Sequence, residues 1–259
     1  MTAVTVIGLG EAGATYAAAL HAAGHRVTGF DPVAPTTPAG VTRAASAAEA
    51  SAGADIVLVM TGAAAARSVA QECLPVLEEG SCYADFTSSS PQVMQELGQF
   101  ASKADFADVA ILGPVSALGE KTPLMVSGPG AQAVADLLGP LGVNVEIAEG
   151  EPGAAMAHKL LRSVLMKGMA SVVVEAVTAG RAAGLEEWIR AQIASQLAGD
   201  GQAVIDRFLT GTAKHAVRRS KEMQDTASYL GDLGVPAEMT TASAAALSRI
   251  ALETAPALR

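Results

Sequence analysis

Aromatic side chains are scarce in this 259-residue chain, at 3% of all residues, although hydrophobic residues make up 50%. Alanine accounts for about a fifth of the chain, well above ordinary usage. So high an apolar content excludes wholesale disorder, and the length is enough for one large domain or two medium ones. The shortage of large rings predicts tightly packed helices with small side chains at their contacts.

Basic residues are also few, with Lys and Arg numbering 17 against 26 Asp and Glu, for a formal net charge of -9. A phosphate backbone is bound by clustered positive charge, so we expect no nucleic-acid partner. An anionic small-molecule substrate is still compatible with this balance, because a local basic site can exist in an acidic protein.

Long apolar runs are missing, and stretches such as residues 56–60 end well short of the roughly 20 residues that span a bilayer. The N-terminus has no basic segment of a signal peptide, so we expect a cytoplasmic protein without a membrane partner. Cys73 and Cys82 are the only cysteines, and they suggest neither a disulfide framework nor a metal site. The four histidines are scattered, which also argues against a metal.

Short apolar runs alternate with alanine-rich helical segments up to about residue 150, a pattern typical of a parallel sheet covered by helices. After residues 150–153 the remaining segments have helical spacing. We therefore predict an α/β Rossmann-type dinucleotide-binding domain at 1–150, followed by an all-α substrate and dimerisation domain at 151–259. The expected strands are residues 3–7, 26–30, 55–60, 82–86, 106–112, 124–126 and 143–147, and the expected helices of the second half are 154–179, 185–198, 202–209, 212–233 and 239–253.

A glycine-rich turn between the first strand and first helix predicts a dinucleotide site. It consists of Gly8, Leu9, Gly10, Glu11, Ala12 and Gly13. Such glycines permit a tight turn, close approach of a pyrophosphate and close packing of helix on strand. The second predicted strand ends in Asp31, at the spacing of an acid that binds the adenosine ribose. Asp31 favours NAD over NADP, although Arg43 leaves NADP possible. We also expect cofactor contacts from Met60, Thr61 and Thr87.

Two further motifs strengthen this interpretation. The glycine turn resembles the GLGxMG fingerprint of the β-hydroxyacid dehydrogenase superfamily, which includes 3-hydroxyisobutyrate and 6-phosphogluconate dehydrogenases, and residues 85–91 resemble its DxSTxxP strand end. Lys159 is followed sixteen residues later by Glu175 and Ala176, as in the family helix that carries the catalytic lysine. The Lys-Leu-Leu-Arg-Ser stretch departs from the family, which has Asn where this chain has Arg162 and Ser163. It looks like a short, little-characterised branch.

The resemblance implies an oxidoreductase in which Lys159 is the general acid/base, assisted by Ser163, with hydride transfer at the nicotinamide. Arg162 and Lys167 lie on the same predicted helix face and are candidates to bind an anionic substrate. Lys221 resembles a lysine that helps close the family's active site. The family's substrate loop fits in two registers, one placing Leu112 and the other Ser116 at the carboxylate-binding serine. We expect a homodimer formed through the helical domain.

Two other functions compete with a hydroxyacid dehydrogenase. Imine reductases share this fold, but they tend to carry another acid where this chain has Lys159. A non-catalytic dinucleotide-binding sensor would explain why Leu112, Arg162 and Ser163 replace familiar polar residues. It would not explain a lysine within a basic, apolar helix stripe. The sequence does not identify the substrate.

Overall fold

The computed structural model of the protein describes residues 1–254, which divide into two compact units. The first unit comprises Met1–Arg162, and the second begins at Ser163. This division falls within a long helix, nine residues after the Gly150–Gly153 turn where the composition of the sequence changes.

The first unit is built on an eight-stranded sheet with the order β3-β2-β1-β4-β5-β6-β7-β8. The strands are β1 (Ala3–Ile7), β2 (Arg26–Phe30), β3 (Thr42–Arg43), β4 (Ile56–Val59), β5 (Cys82–Asp85), β6 (Asp105–Ile111), β7 (Leu124–Ser127) and β8 (Val145–Ile147). Its helices are α1 (Glu11–Ala22), α2 (Ala47–Ser51), α3 (Ala66–Cys73), α4 (Pro91–Phe100), α5 (Val115–Leu118) and α6 (Ala131–Leu138). The predicted Rossmann-type fold is thus confirmed.

The sheet differs from the prediction in two details. β3 is an additional two-residue strand beside β2, too short to leave a period-two pattern. β7 runs antiparallel to β6, whereas the alternating pattern predicted a parallel sheet throughout. The connection between β6 and β7 contains only short helical turns, and a connection of that length suits antiparallel better than parallel neighbours.

Buried side chains cover both faces of the sheet. One face packs Tyr16 and Leu20 of α1 against the strands, and the other packs Met94 of α4 against Tyr83 and Phe106. Parallel strands buried on both faces read as continuous apolar runs, as β4 does. Four neighbouring strands, β1, β2, β4 and β5, run parallel, so their carboxyl ends share one edge of the sheet. The loops that follow these ends carry the polar side chains.

The second half of the chain is all helical, as predicted. It contains α7 (Ala154–Ala182, which starts in the first unit), α8 (Glu186–Leu197), α9 (Gly201–Asp232) and α10 (Glu238–Thr254). The predicted break between helices 202–209 and 212–233 is present, but it lies later in the chain, since α9 is kinked at His215, whose dihedral angles are not helical (φ -122°, ψ 20°). Within residues 1–254, no helix is long and apolar enough to cross a membrane.

Candidate nucleotide-binding and catalytic site

The turn between β1 and α1 depends on its glycines. Gly8 has φ +90°, a conformation that side chains disfavour, and its N–H donates to the Phe30 carbonyl over 2.8 Å. A Cβ on Gly13 would lie 1.8 Å from the Gly8 carbonyl oxygen, so only glycine lets α1 start this close to the strand. A Cβ on Gly10 would meet nothing within 4 Å, which leaves space beside the loop.

This loop fits a pyrophosphate. Gly10 is the N-cap of α1 and supplies no side chain to accept from the first backbone N–H groups of the helix. Such groups, aligned with the helix dipole, bind anions. Glu11 and Ala12 form the first turn of α1, while Leu9 is buried. The residues predicted from the sequence thus form one cradle that can hold a dinucleotide.

Asp31 follows β2 and organises the loop next to the glycine turn. Its Oδ2 accepts from the Leu9 N–H over 2.7 Å, and its Oδ1 accepts from Val33 and Ala34. Partial desolvation favours the neutral acid, but these three hydrogen bonds and the nearby Arg43 charge outweigh it and lower the pKa of Asp31. A carboxylate can accept about four hydrogen bonds, so Asp31 can still accept one from a ribose hydroxyl.

Arg43 is held beside this acid. Its guanidinium donates to the main-chain carbonyls of Asp31 (2.8 Å) and Ala34 (2.9 Å). The sequence left open whether Arg43 reaches this region, and the structure places it there. A positive group therefore accompanies the acid at the end of β2.

The loops after β4 and β5 supply the remaining predicted cofactor residues. Met60 continues β4, with its N–H donating to the Ile7 carbonyl over 2.7 Å. Thr61 has a buried hydroxyl without a hydrogen-bond partner within residues 1–254. The Thr87 hydroxyl is buried and lies 2.8 Å from that of Ser89. Ser90 caps α4 by accepting from the Val93 N–H.

Lys159 meets this edge of the sheet at Ser88. Its Nζ donates to the Ser88 Oγ over 2.5 Å. Ser88 is the one non-glycine residue with positive φ (+58°) among residues 1–254, a backbone state that costs a serine free energy and is typical of functional sites. The sequence identified Lys159 but not this partner, because 71 positions separate the two residues.

Two buried aspartates hold the segments on either side of this contact. Asp85, at the end of β5, accepts from the Thr87 N–H over 2.8 Å. Asp108 of β6 accepts at Oδ2 from the N–H groups of Gly153 (2.9 Å) and Met156 (3.0 Å), at the start of α7. The sequence indicated Asp85 only as the first residue of the 85–91 motif, and it indicated no role for Asp108. An aspartate within an otherwise apolar strand was the sequence signal that could have identified each as a site residue.

Burial disfavours the ionised form of both aspartates. It raises the pKa of Asp85 to about 6, with the Asp108 charge adding to the effect and hydrogen bonds from Thr87 opposing it. Burial also raises the pKa of Asp108, against hydrogen bonds from Met156, Gly153 and Ser127 and the charge of Lys159. The sheet beneath Lys159 therefore contains two acids that are hard to ionise together.

The other candidates belong to both units and are described within their own unit. Arg162 is exposed at the end of the first unit, and the exposed Lys167 donates to Ser163 over 3.3 Å within the second. Lys221 of α9 is exposed and forms an ion pair with Asp225 over 2.8 Å. Ser116 is exposed on α5, whereas Leu112 directly follows β6 and is half-buried. No group of three or more His, Cys, Asp or Glu side chains in the described chain is arranged to hold a metal ion.

Glu175, noted with Ala176 as part of the helix motif, caps another helix. Its carboxylate accepts from the N–H groups of Met239 (2.7 Å) and Thr240 (2.8 Å) and from the Thr240 hydroxyl (2.6 Å), at the start of α10. Desolvation opposes ionisation, but these hydrogen bonds prevail and lower the pKa of Glu175. The motif residue therefore ties α7 to α10 within the helical unit.

Comparison with known proteins agrees with this geometry. The sequence profile of one family, described as the NAD binding domain of 6-phosphogluconate dehydrogenase, matches residues 3–150. A second profile, a domain of unknown function (DUF1932), matches residues 181–250. No curated protein matches the chain significantly.

Three solved structures illustrate the similarity. A conserved hypothetical protein from Sinorhizobium meliloti 1021 is 28% identical, with a TM-score of 0.63, and the match covers 96% of this chain and 88% of that one. Conserved protein MTH1747, described as similar to 3-hydroxyacid dehydrogenases, is 27% identical with a TM-score of 0.66 and coverages of 98% and 99%. An imine reductase variant from Myxococcus stipitatus, in complex with NAD+, is 19% identical with a TM-score of 0.80 and coverages of 97% and 94%. The last likeness shows the fold.

Proposed function

Because this chain belongs to the family of the 6-phosphogluconate dehydrogenase NAD binding domain, we propose that it interconverts a small anionic hydroxyacid and the corresponding carbonyl compound. The family and the structural neighbours show that its relatives are NAD(P)-dependent oxidoreductases. The proposal of a hydroxyacid substrate depends on one observation. Lys159 donates a hydrogen bond to Ser88 at the edge of the sheet where the glycine loop also lies.

The shared edge matters because open α/β sheets bind their ligands at the carboxyl ends of the strands. The glycine loop follows β1, and Ser88 follows β5, which is separated from β1 only by β4. A dinucleotide bound in the glycine cradle extends along this edge. The Lys159 ammonium group lies at the same edge and is the side chain that transfers the proton.

Hydride transfer to or from carbon is the chemistry that a bound nicotinamide supplies. Oxidation of an alcohol also requires a base within hydrogen-bond reach of the hydroxyl proton, and reduction of a carbonyl requires an acid at the same oxygen. In our proposal Lys159 fills both roles, and the Ser88 hydroxyl fixes the amine in place. Ser163 is proposed to contact the same substrate oxygen.

An anionic substrate is favoured by the exposed cations that follow Lys159 along α7. Arg162 and Lys167 have no acidic residue on their helix before Glu175, so their charge is not balanced locally. A substrate carboxylate or phosphate would complement them. We propose Ser116 and Lys221 as further substrate contacts on the strength of the family resemblance.

Imine reduction is the second candidate, supported by the high structural similarity to an imine reductase. The resemblance of Lys159 to the catalytic lysine of the hydroxyacid dehydrogenase family favours the hydroxyacid reaction. The test is a panel of hydroxyacids, aldehydes, keto acids and cyclic imines, followed at the absorbance of the reduced nicotinamide. Turnover of hydroxyacids or keto acids supports our proposal, and turnover confined to cyclic imines contradicts it. Binding of NADH with no turnover in the panel favours a sensor.

We further propose that the protein is a cytoplasmic homodimer joined through its helical half. The support is apolar surface on α7, where Leu161, Val164 and Leu165 are 71%, 75% and 63% exposed. Exposed apolar side chains that are contiguous on the surface mark interaction surfaces. A second copy of the chain provides the same surface, as an isologous interface requires.

A further inference from the structure

Asp85 and Asp108 stand opposite each other on the neighbouring parallel strands β5 and β6. Residues in such register leave the sheet on the same face, and the strands are about 4.8 Å apart. Both side chains are fully buried, at 0% exposure. Within residues 1–254, Asp85 Oδ2 and Asp108 Oδ1 are both buried without a hydrogen-bond partner. Two buried acceptors left unsatisfied at paired positions of neighbouring strands are costly unless a proton satisfies them.

The remaining oxygens of the two aspartates are already engaged. Asp85 Oδ1 accepts from the N–H of Thr87, the residue before Ser88. Asp108 Oδ2 accepts from the Gly153 N–H just before α7, from the Met156 N–H in its first turn, and from the Ser127 hydroxyl over 3.3 Å. One aspartate thus fixes the segment that presents the Ser88 hydroxyl, and the other fixes the helix that presents Lys159.

We propose that Asp85 and Asp108 share one proton between their unpartnered oxygens, and that this hydrogen bond ties the Thr87–Ser88 turn to the first turn of α7. The two residues are positioning residues, since they act through the segments that hold Lys159 and Ser88. The importance of this positioning for catalysis rests on the proposed function. The shared proton, and the link it makes between the Thr87–Ser88 turn and α7, do not depend on the proposed function.

Other titratable groups interact electrostatically with the pair. Tyr83 lies two residues before Asp85 on the same strand, with Cys73 of α3 beyond it, and burial raises the pKa of both these groups. Lys159 interacts with Asp108 from α7. Tyr83 and Cys73 keep their protons in the mildly acidic range, so neither of them adds a charge beside the aspartates there. Since burial and the Asp108 charge raise the pKa of Asp85 to about 6, the link is intact at pH 5 and lost at pH 8.

Amide hydrogen exchange tests the link without substrate or cofactor. In the wild-type protein, we expect the Thr87 and Met156 amides to show at least tenfold higher protection factors at pH 5 than at pH 8. Asp85→Asn keeps a donor toward Asp108 and an acceptor for Thr87, so its protection should be high at both pH values. Asp85→Leu fills the volume without either group, and it should lower the protection of Thr87 and also of Met156, which is bonded to Asp108 alone.

Two outcomes overturn the proposal. One is pH-independent protection of both amides in the wild type, which would mean that no proton is shared. The other is an Asp85→Leu variant in which Met156 keeps its wild-type protection, which would mean that the aspartates are not coupled. If Asp85→Leu does not fold, the wild type and Asp85→Asn still decide, because equal pH profiles of these two proteins contradict the shared proton. A failed activity assay leaves these results unaffected.

Discussion

Lys159 donates a hydrogen bond to Ser88 over 2.5 Å, although the two residues lie 71 positions apart. The contact joins the turn after β5 to the start of α7. Ser88 adopts φ +58° to present its hydroxyl, so the turn is held in a costly conformation by its surroundings. A strained residue that contacts the candidate acid/base is the best indication of where the reaction takes place.

Two substitutions at Ser88 separate its hydroxyl from its backbone strain. Ser88→Ala removes the acceptor and keeps the strain, so we expect about a tenfold loss of turnover without a gain in stability. Ser88→Gly removes both, so it should lose similar activity while gaining up to about 1 kcal/mol in the free energy of unfolding. Steady-state kinetics and urea unfolding measure the two effects. Full activity in both variants would show that Lys159 needs no anchor at Ser88.

Much of the first unit could be predicted from its sequence. Apolar runs mark the strands, and the glycine spacing marks the cofactor loop because few other functions require three glycines there. The antiparallel β7 could not be predicted, because strand direction depends on pairing between distant segments. The helix break in α9 was predicted, but its position at His215 was not, since local spacing does not fix the residue at which a helix bends.

The candidate site was predicted only in part, for a similar physical reason. Lys159 and Asp31 were found because local motifs contain them. The contact of Lys159 with Ser88 and the two bonds from Asp108 to α7 join segments far apart in sequence. Nothing in the local pattern around Ser88 indicates its positive φ.

We expect the residues at the end of β2 to set the cofactor preference. We expect NAD(H) to bind more tightly than NADP(H), because the ionised Asp31 repels a 2′-phosphate. Isothermal titration with both cofactors measures this. Asp31→Asn removes the charge at nearly constant shape and should narrow the preference, whereas the exposed Glu72→Gln serves as a control that leaves it unchanged. Tighter binding of NADP(H) by the wild type would reject the role of Asp31 and indicate Arg43 as a phosphate-binding residue.

We expect Glu175 to stabilise the helical unit in a pH-dependent way. Glu175→Ala should lower the free energy of unfolding by about 1–2 kcal/mol at pH 7, the usual value of a helix cap, and Glu175→Gln should lower it less. Because the pKa of Glu175 is lowered in the folded protein, its contribution is fully present above about pH 5 and is lost as pH falls through the folded-state pKa.

Urea unfolding at pH 7 and at pH 3.5 measures this dependence. The difference between wild type and Glu175→Gln should shrink at the lower pH, while the exposed Glu187→Gln on α8 should show little difference at either pH. An equal deficit at both pH values would mean that the charge of Glu175 contributes nothing to the cap.

The proposed homodimer has a simple test in solution. Light scattering at micromolar concentration should give twice the chain mass of 26.0 kDa. Val164→Lys places a charge on the exposed apolar surface of α7 and should shift the protein toward monomer, whereas Lys103→Ala on the first unit should not. A wild-type monomer would reject the dimer.

The central claim is that Lys159 transfers the proton at the substrate oxygen. The most direct measurement compares turnover and NAD(H) dissociation constants of Lys159→Ala with those of wild type, using the substrate class identified by the panel. We predict a loss of turnover of about 10² or more with little change in cofactor affinity, because the glycine loop and Asp31 bind the dinucleotide separately. The exposed Lys103→Ala should match wild type in both. If Lys159→Ala retains most of the wild-type turnover, Lys159 is not the acid/base and the account is contradicted.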